Sequence, residues 1–360
     1  MYNVLFLQSC KLLFYILVTS CLLVHIIEKL TSDAVVSSLS NIEMDIIMAL
    51  EYNFPFTETP YLDIASKLDI PFATFVNISK DLLSRGVIKR IGFNVNYKAF
   101  NKVAALVAVR AYGDTFNRLK MLLNADKEVT HNYVRNHPYY NVWFVTKRKS
   151  VEELVNDVNK IMIELNIKNE DYLILLGKRT YKLSVKFDVK RGISWSQPDL
   201  LPEKIPSIEE FDVDKNMIKE LAKGIPLEER PYKNIGMKYN LKENEIVSIL
   251  YELYSKRVIR NVGATLEGPR AGILYDGMVV LRGKEDVCQK IALNIPEATH
   301  VVYRVPLNGE WEYPAYFMTH ADSRDKIERV AKRANDTTGA DGYMILYSLE
   351  NLKPFYHIIE

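Results

Sequence analysis

One heptapeptide, His131-Asn-Tyr-Val-Arg-Asn-His137, sets the first chemical question. Side chains alternate along a strand, so an extended conformation puts His131, Tyr133, Arg135 and His137 on one face and Asn132, Val134 and Asn136 on the other. A face that packs is apolar, and a face that meets solvent favours Lys, Glu and Thr. This one is two imidazoles, a phenol and a guanidinium. Arg offers a planar fork suited to carboxylates. His exchanges protons near neutral pH, and Tyr133 can relay or orient. The pattern points to an anionic ligand and to proton transfer. Trp143 and Phe144 lie on the next strand.

The same arrangement returns, thinned, in the second half. His300 and Arg304 stand four residues apart and so share a face. Val302 replaces the tyrosine, Pro306 the last histidine, and Tyr303 faces away. A further set follows at Trp311-Glu-Tyr-Pro-Ala-Tyr-Phe-Met-Thr-His320. Four of the six histidines, His131, His137, His300 and His320, fall in these segments. The two halves offer related but unequal pockets.

The recurrence is general. Phe54-Pro-Phe-Thr-Glu-Thr-Pro-Tyr61 returns 171 residues on as Ile225-Pro-Leu-Glu-Glu-Arg-Pro-Tyr232, and Val87-Ile-Lys-Arg-Ile-Gly92 as Val258-Ile-Arg-Asn-Val-Gly263. A period this long means two covalently joined domains, not a solenoid. Within each copy, periodicity predicts three short helices (42–52, 61–68 and 72–84 in the first), then a strand pair over 87–97, which is a winged helix-turn-helix. Strand, helix, strand, strand, helix, strand follows (103–111, 115–123, 129–137, 142–147, 151–165, 172–176). The second copy repeats it (277–282, 284–293, 300–305, 313–319, 324–333, 342–346). That order is ferredoxin-like α+β. The expected organisation is a hydrophobic extension over 1–32, winged helix-turn-helix 1 over 33–98 and ferredoxin-like domain 1 over 99–190. A proline-rich linker over 191–209 follows, then winged helix-turn-helix 2 over 210–270 and ferredoxin-like domain 2 over 271–360. Trp195, in the linker, is expected to pack on a domain face.

Composition narrows the functional classes. The chain has 360 residues and is 48% hydrophobic, enough for at least two cores. Lys and Arg number 47 against 45 Asp and Glu, without the basic excess of a dedicated DNA binder. The two would-be recognition helices are near neutral, so the winged helices read as scaffold, although Lys89, Arg90 and Arg260 mark the hairpins. Three cysteines without a CxxC pair exclude zinc-finger, iron–sulfur and disulfide frameworks. No Gly-rich nucleotide fingerprint follows a strand, and Gly339-Ala-Asp-Gly342 precedes one, as a turn does. The apolar stretch within residues 4–27 leaves two readings, a membrane anchor or an upstream extension of a cytoplasmic protein.

A winged helix followed by a ferredoxin-like domain, twice, resembles the Lrp/AsnC regulators, which dimerise through the second part. The fused pair would be an intramolecular pseudo-dimer, with higher oligomers left open. The stretch H-N-Y-x-R-x-H with Asn141, Trp143 and Phe144 is similar to the first subunit of the siroheme decarboxylases. H-x-x-x-R with Trp311, Tyr313, Met318 and His320 resembles the second. The resemblance implies removal of the acetate carboxyls at C12 and C18 of siroheme, a step of haem formation. It implies catalytic roles for His131, Tyr133, Arg135 and His137. His300, Arg304, Asn141, Trp143, Trp311 and His320 would hold the substrate. No cofactor is implied, since the iron arrives with the siroheme; its ligand is one of His131, His137, His300 and His320. No specific DNA partner is expected. The alternatives are an Lrp/AsnC-type regulator and a tetrapyrrole sensor without turnover.

Overall fold

Proline and glycine punctuate the first helices of the computed structural model, which describes residues 39–353. The hydrophobic stretch at residues 4–27 lies outside the described residues. Among the described residues no helix is long and apolar enough to cross a membrane. Helices α1 (Asn41–Tyr52), α2 (Pro60–Lys67) and α3 (Phe72–Ser84) form the first helical unit. Pro60 opens α2, where its missing N–H costs nothing. Phe75, Ser79 and Leu82 give α3 its buried stripe. Gly86, at φ +67°, ends it in the left-handed conformation.

The wing departs from expectation. In place of a hairpin in each copy, one continuous strand, β1 (Ile88–Val95), pairs antiparallel with its counterpart β8 (Ile259–Leu266) of the other copy. No two-residue turn signal interrupts 88–95, so the chain stays extended, and an extended edge takes the tethered copy as its partner. Gly92 faces Gly263 in this ladder. A Cβ on Gly92 would lie 2.7 Å from the Ala222 carbonyl, and one on Gly263 would lie 1.9 Å from the Leu50 carbonyl. Each wing therefore packs on the first helix of the opposite copy. Arg85 is paired with Glu43 and Asp81, Lys89 with Glu267, and Arg90 with the Ala222 carbonyl at 2.8 Å.

The first α+β unit contains β2 (Val103–Val109), α4 (Gly113–Ala125), β3 (Val129–Arg135), β4 (Val142–Arg148), α5 (Val151–Glu164) and β5 (Tyr172–Leu183). Short strands β6 (Phe187–Asp188) and β7 (Ile193–Ser194) lead into the linker. There Arg191 covers the half-buried Trp195 ring and the Tyr52 hydroxyl donates to the Trp195 carbonyl. Helices α6 (Lys215–Lys223), α7 (Lys233–Tyr239) and α8 (Glu243–Ser255) precede β8. Then come β9 (Tyr275–Leu281), α9 (Asp286–Asn294), β10 (His300–Pro306), β11 (Ala315–Ala321), α10 (Arg324–Thr338) and β12 (Tyr343–Asn351).

Eight strands close into a ring in the order β10-β5-β2-β4-β3-β12-β9-β11, with β11 returning to β10. The two seams between copies are β5–β10 and β3–β12. They explain why β5 and β12 run past the predicted 176 and 346. The first part of β5 pairs with β2 in its own copy, and its extension pairs with β10 in the other. Strand alternation then sorts side chains into three cores. Val107, Phe144 and their neighbours face α4 and α5, and Val279 and Phe317 face α9 and α10. Leu106, Trp143, Met278, Val280, Tyr316 and Met318 fill the space inside the ring.

Candidate active site inside the barrel

The interior positions continue outward from that central core into polar residues. On β4, after Trp143 and Val145, the next inward position is Lys147. On β9, before Met278, it is Asp276. On β11, after Met318, it is His320, and on β10 the inward set is His300, Val302 and Arg304. Strand β3 needs a correction of phase to join them, because Val129 faces the helices and an unbroken alternation would turn His131 the same way. An irregularity between Val129 and His131 re-aims the strand, so that His131, Tyr133 and Arg135 point inward and Val134 packs on the helix side.

The two arginines are the most committed features. Arg135 and Arg304 are buried, on strands from different copies. Arg135 donates to the Leu346 carbonyl at 3.0 Å and covers the Tyr133 ring; Arg304 donates to the Leu175 carbonyl at 3.2 Å and covers the Tyr316 ring. Among the described residues neither has a carboxylate within ion-pair distance, and the Nε of each has no hydrogen-bond partner. Burial lowers both guanidinium pKa values, yet guanidinium stays charged. Two buried cations without an ion-pair partner among the described residues cost free energy.

Around them lie three imidazoles. His131 is brought down to about 3 by burial, then by the charges of Lys147, Arg135 and Arg260. His300 is driven well below its usual value by burial, then by Arg260 and the other imidazoles. Burial also lowers Lys147 to about 8. Each inner histidine is anchored through Nδ1 on the threonine before it: His131 on Thr130 at 3.0 Å, His300 on Thr299 at 3.2 Å. His320 contacts Asp276 through Nδ1 at 2.5 Å and Thr299 through Nε2 at 3.3 Å. Burial alone would raise the Asp276 carboxyl; the charge and hydrogen bond of His320 outweigh it and hold the pKa down.

His137 departs from this group. Strand β3 ends at Arg135, and six residues of extended chain span about 20 Å, so His131 and His137 cannot meet one reacting atom. His137 Nδ1 accepts from the backbone amides of Tyr139 and Tyr140, both at 3.0 Å, which leaves the neutral ring its proton on Nε2. Its ring lies against Tyr140, Trp143 and Trp311. Trp143 donates to the Tyr140 carbonyl and Trp311 to that of Tyr313, so both indole N–H groups are used internally. Asn141, expected at the substrate, is architectural instead. Its side chain accepts from the Ala111 amide at 2.9 Å and donates to the Ala111 carbonyl at 2.7 Å.

Sequence reasoning missed Asp276, Thr299, Lys147 and the wing residue Arg260. The signal for Asp276 was its position one residue before the predicted strand at 277–282; β9 begins at Tyr275. A cavity of about 450 Å³ lies elsewhere, among Asp45, Tyr52, Asp188, Arg191 and Trp195, and shares no lining residue with these groups.

Residues 101–182 and 270–353 each match the AsnC-like ligand binding domain, and residues 214–260 match the siroheme decarboxylase NirDL-like HTH domain. The chain is a tandem protein of AsnC-like and helix-turn-helix units. A siroheme decarboxylase of Hydrogenobacter thermophilus is 23% identical over 311 residues, covering 86% of this chain and 92% of that one. The crystal structure of the siroheme decarboxylase NirDL in complex with an iron-uroporphyrin III analogue superposes with a TM-score of 0.60 at 21% identity, over 88% of this chain and 94% of that one. The siroheme decarboxylase beta subunit of Methanosarcina barkeri is 27% identical over 143 residues, 39% of this chain and 93% of its own length. Over most of its length the chain is similar to siroheme decarboxylases, and separate alpha and beta subunits of such enzymes each match only part of it.

Proposed function

We propose that the protein is a carboxy-lyase that removes the carboxyl groups of two ring acetates of siroheme. The observation that carries this reading is the pair of buried, carboxylate-free arginines, Arg135 and Arg304, facing into one barrel from opposite copies. Siroheme presents eight carboxylates around a flat apolar ring. Arg135 and Arg304 bind carboxylates by the guanidinium fork. The central apolar core gives the macrocycle a dry wall, where fixed charges act strongly. Loss of CO2 leaves an electron pair on the methylene carbon, delocalised into the ring, and that carbon must take a proton. The inner imidazoles supply it. They are neutral while cations outweigh the Asp276 carboxylate around them, and arriving carboxylates reverse that electrostatic balance. Tyr133 orients a carboxylate beside Arg135. The winged helices serve as scaffold, since Arg85, Lys89 and Arg90 are engaged by the protein's own groups.

The test is anaerobic incubation with siroheme followed by mass spectrometry. Loss of two CO2 units is the expected result. Siroheme returned intact with a shifted Soret band would replace the enzyme with a sensor.

A further inference from the structure

The halves differ most in what stands behind their inner histidines. In the second, contacts of 2.5, 3.3 and 3.2 Å string together Asp276, His320, Thr299 and His300. Asp276 and His320 are register partners on β9 and β11, and Thr299 immediately precedes His300, so the backbone fixes the spacing. In the first half the corresponding register partners on β2 and β4 are Ala104 and Lys147. The Thr130–His131 contact survives at 3.0 Å. A carboxylate–imidazole pair behind it does not.

We propose that Asp276, His320 and Thr299 are a proton relay that feeds His300, so that the second half delivers the proton for one of the two decarboxylations. This rests on the decarboxylase reading and assigns roles within it. The step balances without a further reagent. The bond to the carboxyl breaks, CO2 leaves and the electron pair stays on the methylene carbon. The Nε2 proton of His300 passes to that carbon. The Thr299 hydroxyl, which also reaches the Met318 carbonyl at 3.3 Å, turns its proton to His300 Nδ1, and takes the Nε2 proton of an imidazolium His320, whose Nδ1–H remains on Asp276. Water then recharges His320, and His300 returns to its Nε2–H tautomer by proton exchange with solvent. Asp276 keeps 37% of its side chain accessible against 13% for His320, so the outer end of the chain is the wetter one. The other charges facing this cluster are His131 and Arg135 from β3, Lys147 from β4, Arg260 from β8 and Arg304 from β10. All are basic, and Asp276 is the carboxylate that stands among them. His300 is the catalytic residue; Asp276, His320 and Thr299 position and resupply its proton.

The experiment is anaerobic turnover of siroheme by the full chain and by Asp276→Asn, Thr299→Val and Thr299→Ser, with products resolved by mass and siroheme affinity read from the Soret band. Asp276→Asn and Thr299→Val are expected to bind siroheme as the unsubstituted protein does. The relay step should slow by roughly 10²-fold, so that monodecarboxylated product accumulates. Thr299→Ser, which keeps the hydroxyl, should restore the second step. Variants that keep the product ratio overturn the relay. So does equal loss in Thr299→Val and Thr299→Ser. If Asp276→Asn does not fold, the threonine pair decides alone, being nearly isosteric. Siroheme returned intact by the unsubstituted protein overturns the decarboxylase reading and the relay with it.

Discussion

Arg135 and Arg304 carry a cost in the empty protein, which makes their substitution informative. Arg135→Lys keeps the charge and loses the fork that spans a carboxylate. Loss of a charged hydrogen bond is worth about 1.5–3 kcal/mol, or about 10- to 150-fold in affinity, readable as a rise in the siroheme dissociation constant. Arg304→Lys should do the same from the other copy. The inner histidines predict a pH effect of definite sign. A histidine unperturbed near 6.5 that is held at about 3 when folded binds fewer protons in the native state than in the unfolded one. Stability should therefore be full above about pH 6.5 and fall as pH drops toward 3, and His131→Gln should flatten that slope in chemical denaturation series. Siroheme binding should take up protons, measurable by calorimetry in buffers of different ionisation enthalpy, as its carboxylates raise the buried imidazoles. The alternation His131, Tyr133, Arg135 was legible in the sequence because period two survives in any strand. His137 was not placed correctly, because nothing in the heptapeptide says that β3 stops at Arg135 and that two amides seize the last imidazole. Asn141 also has a structural task that the sequence does not announce, since its amide ties Ala111 to the strand end.

At the scale of elements, helix positions were readable from apolar spacing, and strand order from the ferredoxin-like sequence of elements. What escaped were the features that depend on the second copy: the tails of β5 and β12, and the exchanged wings. A periodicity argument treats each segment alone, whereas residues 177–183 are a strand because β10 lies beside them. The wing glycines test this packing. Gly263 has φ +121° and a Cβ there would overlap the Leu50 carbonyl. Gly263→Ala should lose about 1–3 kcal/mol through backbone strain alone, with more from the overlap, seen as a lower midpoint in urea. Gly224, in extended backbone with nothing within 4 Å of a Cβ, is the control: Gly224→Ala should leave the midpoint unchanged or raise it slightly.

At the scale of the molecule, duplication with divergence lets one closed barrel hold unequal walls. Both arginines are retained, while the register pair Asp276 and His320 in one copy corresponds to Ala104 and Lys147 in the other. A symmetric dimer of identical chains could not do this, because every substitution would appear twice. The architecture also predicts mutual dependence. The central core draws Leu106, Trp143 and Leu175 from one copy and Met278, Val280 and Tyr316 from the other, and both seams and the wing ladder join strands of different copies. Neither half alone can bury that apolar face or pair the edges of β3, β5, β10 and β12. Expressed separately, residues 39–200 and 201–353 should aggregate or self-associate, while co-expression should yield a one-to-one complex by size exclusion with siroheme binding intact. The half-length beta subunit of Methanosarcina barkeri, matching 93% of its own length to part of this chain, is a natural precedent for that division. A monomeric, cooperatively folded single half would contradict it, since such a half would have to cover in isolation the face that here is closed only by its copy.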